Sequence, residues 1–135
     1  MASKTTGEIK DDIYALLRRK PISDDLTGSV YFQGLRPKDS RLEDTIIAVT
    51  TATADEVQQG VIAILVYVPD ITVNGLIQEQ TERTRAIERA LNAWCRQMTA
   101  GKSDYIFKLK EAVTTDKEAA TNQHFVTARL GFKIY

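Results

Sequence analysis

Val61-Ile-Ala-Ile-Leu-Val-Tyr-Val68 is the longest strongly apolar run in the chain, and its reading decides the fold. Eight residues fall far short of the roughly 20 that a bilayer-crossing helix needs, so no membrane association is expected. The β-branched composition is that of a strand. A strand alternates faces, which sends Ile62, Ile64, Val66 and Val68 one way and Val61, Ala63, Leu65 and Tyr67 the other. Both sets are apolar. An antiparallel sheet with one wet face would carry polar residues in the second set. Two arrangements satisfy the pattern: helices over both faces of the sheet, or a second subunit over part of one face.

Upstream, Thr45 to Thr53 is a second β-branched run and Ser29-Val-Tyr-Phe-Gln33 a shorter one. Between them, Leu35 to Asp44 carries Arg36, Lys38, Asp39, Arg41, Glu43 and Asp44. About ten residues exceed the usual two to five of a hairpin loop, and loops of such length are often functional. Near the N-terminus, Thr5 and Glu8 have capping-box spacing. Ile9, Ile13, Leu16 and Leu17 then form one helical stripe, closed by Pro21. Arg18, Arg19 and Lys20 fall in the last turn of that helix, where cations offset its dipole.

Downstream, Pro69, Asp70, Asn74 and Gly75 mark a loop. Gln78 to Met98 reads as a long helix with Ile87, Leu91, Trp94 and Met98 on one stripe, and with Glu79 and Arg83 at the favourable i, i+4 spacing on a charged flank. Tyr105–Lys110 and His124–Tyr135 alternate as strands, and the polar segment between them, Thr114 to Gln123, reads as an exposed loop. The expectation is one α+β domain over residues 1–135: about five strands in a mostly antiparallel sheet with two helices, in the order α-β-β-β-α-β-β.

A chain of 135 residues buries about two-thirds of its unfolded surface and needs no disulfide or metal to hold a core. The balance of 18 Lys+Arg against 18 Asp+Glu lacks the basic footprint of a nucleic-acid binder. The opening MASKTTGEIKDD is polar where a secretion signal needs an apolar stretch. One Cys and one His make neither an internal disulfide nor a structural zinc site.

Chemistry-bearing motifs are missing: there is no Walker sequence, Rossmann glycine pattern, nucleophile elbow or His-Glu-x-x-His. Cys95, beside Trp94 on an amphipathic helix, reads as a small packed hydrophobe, and His124 as a strand-edge residue. The pairs Asp11-Asp12, Asp24-Asp25 and Glu43-Asp44 read as solubility and turn residues, because neighbouring side chains diverge in a helix or strand. No catalytic residue, cofactor or metal ligand is expected.

The layout as a whole resembles the tail-terminator or tail-completion proteins of long-tailed bacteriophages, with head–tail connector proteins as near neighbours. Its carriers are the opening helix GEIKDDIYALLRRK, the strand SVYFQG before a charged loop, the strands DTIIAVTTATA and QGVIAILVYVPD, the helix around IERALNAWCRQM and a closing pair of strands. The resemblance implies a non-enzymatic virion protein of the tail–neck junction, present in the host cytoplasm during assembly. It would form a ring, as a homohexamer, that terminates tail-tube growth and docks the tail to the head-completion complex.

Its partners would be further copies of itself, the tail-tube protein and the head-completion or connector protein, with DNA at most passing through the channel. On that reading Val61, Ala63, Leu65 and Tyr67 supply a ring-interface strand. Arg36, Lys38, Asp39, Arg41, Glu43 and Asp44 supply a docking loop that projects from the ring, and whose basic residues can be replaced together without harming the fold. The competing classes are a connector, or a small α+β ligand-binding or nucleic-acid-binding module.

Overall fold

The computed structural model describes residues 3–101 and 103–135. The first helix, α1 (Thr6–Arg19), starts at the expected capping box: Thr5 Oγ1 accepts from the Glu8 N–H, and the Glu8 carboxylate accepts from the Thr5 N–H. Ile9, Ile13 and Leu17 form its buried stripe. The second helix, α2 (Thr81–Ala100), begins three residues later than expected and buries Thr84, Ile87, Leu91, Trp94, Cys95 and Met98. Trp94 Nε1 donates to the Lys20 carbonyl at 2.7 Å, tying α2 to the end of α1.

The main sheet runs β1 (Val30–Phe32), β2 (Thr45–Ala52), β3 (Gln58–Pro69), β8 (Gln123–Ile134), β6 (Tyr105–Leu109), with β7 (Thr114–Glu118) also paired to β8. All pairings are antiparallel except β1 with β2. A two-stranded hairpin, β4 (Ile71–Val73) and β5 (Leu76–Gln78), stands apart from that sheet. The α+β class and the two helices are as expected, and the sheet carries more strands than the sequence suggests.

Two segments read as loops are strands. Asn74 and Gly75 both have positive φ, 52° and 79°, the geometry of a two-residue hairpin turn that matches strand twist. Thr72-Val73 and Leu76-Ile77 on either side therefore pair instead of leading directly into the helix. In β7, the polar sequence TTDKE forms a strand because the neighbouring β8 offers a ladder; pairing overrides weak intrinsic preference at a sheet edge.

Both helices lie on one face. Ile62, Ile64, Val66 and Val68 join one continuous core with Ile9, Ile13, Leu17, Ile87, Leu91 and Trp94, to which β8 adds Val126, Ala128, Leu130, Phe132 and Ile134. Val61, Ala63, Leu65 and Tyr67 lie outside that core on the opposite face. Of the two coverings that the apolar pattern allowed, a helical layer on each side is not the one adopted.

Candidate functional site

The helix-free face is built row by row across the ladder. Ile46, Leu65, Thr127 and Thr114 lie side by side, followed by Ala48, Ala63 and Arg129. Tyr67 pairs with Phe125 and then Asp116, and the two rings meet at 5.6 Å between centroids. Small and branched residues make its centre apolar, and a hollow of about 270 Å³ lies over Ala63, Leu65 and Thr127, edged by Glu111, Asp116 and Arg129. Ala63 is buried, while Val61, Leu65, Tyr67 and Phe125 are half-buried. Thr127 is 8% exposed, and its hydroxyl has no hydrogen-bond partner among the described residues. A buried donor and acceptor left unpaired costs about 1–3 kcal/mol, which a contact from outside the chain would relieve.

Toward the start of β3 this face opens into a groove of about 560 Å³. Val61 and Ile106 contribute apolar surface, Tyr135 stands at one end, and Lys108, Lys110 and Lys133 line it. None of the three lysines forms an ion pair among the described residues. Gly131, directly beside Val61 in the ladder, keeps the floor open; a Cβ there would stand 2.8 Å from the Lys110 side chain.

The loop that was expected to project is fastened down. Because β1 and β2 are parallel neighbours, the chain must travel back along the sheet between them, and this return explains the length of Leu35–Asp44. Arg36 reaches inward: Nε donates to Asp44 Oδ2 at 2.8 Å, and Nη2 donates to Gln123 Oε1 at 2.8 Å and to the Leu42 carbonyl at 3.1 Å. Its guanidinium lies 4.1 Å over the Tyr67 ring. Asp44 also accepts from the Ser29 N–H at 3.0 Å and from the Ser40 hydroxyl.

Arg41 donates to the Thr121 and Asn122 carbonyls. Of the six loop residues proposed for docking, only Lys38 and Asp39 are exposed without a side-chain bond in the structure. The expectation that Arg36, Lys38 and Arg41 can be removed together without harm to the fold is corrected by this network.

Glu43 and Asp44 are not a solubility pair either. As neighbours they point apart, Asp44 to Arg36 and Glu43 to Arg83, and both are buried. Arg83 holds Glu43 at 2.6 and 2.8 Å and Asp25 at 2.9 and 3.1 Å. Hydrogen bonds to Glu43 and then Asp25 raise the guanidinium's affinity for its proton. Those from Arg83 and Ser23 bring the Asp25 carboxyl down to about 2. Arg83 is thus committed across the fold instead of to Glu79, which lies outside the helix.

Glu79 belongs to another cluster that the sequence did not reveal. His124 Nδ1 is 2.6 Å from Asp70 Oδ1, and Nε2 is 3.5 Å from Glu79 Oε1. Asp70 immediately precedes β4 and Glu79 immediately follows β5, so the imidazole joins the two roots of the hairpin. The Thr84 hydroxyl donates to Glu79 Oε2 at 2.5 Å. No nucleophilic side chain among the described residues is hydrogen-bonded to this ring. The arrangement positions a β-hairpin.

Cys95 is buried within α2 and burial pushes its thiol up to about 11, which makes it a packing residue. No group of three or more His, Cys, Asp and Glu side chains suited to a metal occurs among the described residues, and no described helix is long and apolar enough to cross a membrane. No protein-family model matches the chain, and no curated protein matches its sequence.

Proposed function

We propose that this chain is a structural subunit of a phage tail, forming a ring at the head-proximal end that stops tail-tube growth and docks the head-completion complex. The observation that carries the reading is the helix-free apolar face of β3, where Val61, Leu65 and Tyr67 are half-buried and the neighbouring Thr127 hydroxyl is unpaired. An apolar sheet face with no helical layer is the kind of surface that a neighbouring subunit covers. Contacts between different patches on identical copies close into a ring when the rotation between them allows it. The fastened loop Leu35–Asp44 contributes indirectly: Arg36 fixes Tyr67 at one end of the face.

Mass measurement together with negative-stain imaging, with and without tail-tube protein, tests this reading. Rings in solution, or rings capping tubes, are expected; a monomer at every concentration that never joins tubes overturns it. Two adjacent substitutions separate folding from assembly. Val66 is fully buried among core residues, so Val66→Asp should prevent folding. Leu65→Asp should leave a folded chain that no longer assembles, because Leu65 points to the helix-free face.

A further inference from the structure

The β4–β5 hairpin is the most exposed apolar element of the fold. Every residue from Ile71 to Gln78 is exposed and none is charged. Leu76 and Ile77 at its tip are 69% and 57% exposed, and Ile71 and Val73 are also open to solvent. An isolated two-stranded hairpin is marginal in water, yet this one is held at both roots by His124 through Asp70 and Glu79. Its register puts Ile71, Val73 and Leu76 on one side. A stiffly mounted apolar arm with nothing over it is suited to insertion elsewhere.

From these observations we infer that the hairpin of one copy inserts into the groove beside Lys108, Lys110 and Lys133 on the next copy, in a head-to-tail contact. The inference rests on the ring-subunit reading and specifies its interface. The hairpin cannot fill its own groove, because β3 separates the two: about ten residues from Gln59 to Pro69 span roughly 30 Å.

The two ends are complementary. The groove offers apolar surface from Val61 and Ile106, the latter 55% exposed, beneath lysines with no ion-pair partner among the described residues. Asp70 is buried against His124, so the open negative charge lies where β5 runs into α2: Glu79, whose side chain is 33% exposed, and Glu82, exposed in the first turn of that helix. Val73 and Leu76, which share a side of the hairpin, would meet the apolar floor, and Glu79 and Glu82 would face the lysines. Lys117 pairs with His124 in the ladder. Such a contact joins two different patches, so it propagates from copy to copy and leaves one free hairpin and one free groove on any open assembly.

Sedimentation of the full chain across a concentration series tests the contact, with two variants: Val73→Asp with Leu76→Asp at the hairpin, and Lys108→Glu with Lys133→Glu at the groove. Each should sediment as a folded monomer, with self-association weakened at least about tenfold. Their equimolar mixture should form dimers and nothing larger, because each variant retains the half that the other lacks. Far-UV circular dichroism establishes that each variant is folded.

A hairpin variant that assembles as the unaltered chain does overturns the inference and leaves the ring reading standing. A mixture that stays monomeric also overturns it. An unaltered chain that neither self-associates nor joins tubes overturns both.

Discussion

Arg36 Nε lies 2.8 Å from Asp44 Oδ2, and the Asp44 side chain is wholly closed to solvent. The same carboxylate accepts from the backbone of Ser29, just before β1, so one ion pair fastens the return from β1 to the start of β2. A charge buried in this way is tolerable only while its partners are present.

Arg36→Ala should therefore cost about 3 kcal/mol or more, since it leaves Asp44 buried without its cation and removes the cover of the Tyr67 ring. Lys38→Ala, two residues away on the exposed part of the loop, should change stability by no more than about 0.5 kcal/mol. Urea unfolding of both variants checks the contrast. Equal, small effects would show that the loop is only solvated.

That contrast also marks where sequence reading stops. β-branched composition marks β2 and β3, and period-two alternation marks β6 and β8, because both depend on local order alone; the capping box marks α1 for the same reason. The ladder partner of β7 is set by the tertiary fold, so its polar sequence looked like a loop. Asn74-Gly75 between Val73 and Leu76 is a legible hairpin signal, and taking it as a loop marker alone hides β4 and β5. In the candidate site, the two faces of β3 were legible from Val61 to Val68. The arginine networks were not, because Arg36 with Gln123 and Arg83 with Glu43 join residues 87 and 40 positions apart.

Acid should weaken the Arg83 network in a definite direction. The Asp25 carboxyl is held at about 2, below its ordinary value of 3.8, chiefly by hydrogen bonds from Arg83 and Ser23. A lowered folded-state pKa contributes stability that is complete above the unfolded value and is lost as pH falls through the folded one. The loss should therefore run from about pH 4 down to about 2. Comparing urea midpoints of the unaltered chain and Asp25→Asn isolates it: the gap between them should be widest near pH 5 and shrink toward pH 2. A gap that is constant over this range would mean that Asp25 contributes no charge-dependent stability.

Cys95 should behave as a reporter of unfolding. Burial raises its thiol to about 11 from an ordinary 9, so the folded chain holds it protonated and enclosed at neutral pH. Sign and window follow: the folded state binds the proton more tightly, so this group's contribution to stability is complete below about 9 and declines as pH rises toward 11. Reaction with a thiol-specific reagent at pH 8 should be slow in buffer and fast in denaturing urea. Rapid reaction of the folded chain would place the thiol at the surface.

His124 should control the order of the hairpin more than the stability of the body. Asp70, whose side chain is 3% exposed, accepts from Nδ1 at the root of β4, while Nε2 faces Glu79 at the root of β5. The His124 side chain stands at the end of the core face, beside Val68 and Lys117 in the ladder, and its polar partners are the two hairpin roots. Removing the ring in His124→Ala leaves Asp70 without its partner and lets the two roots separate. Backbone amides from Ile71 to Gln78 should then exchange with deuterium markedly faster, while those of Ile62, Ile64, Ala128 and Leu130 keep their protection. Because local opening and global unfolding are distinct events with distinct free energies, exchange separates them where a melting temperature does not. Uniform acceleration across the sheet would mean that His124 supports the whole fold; unchanged exchange in the hairpin would mean that the turn at Asn74-Gly75 holds it alone.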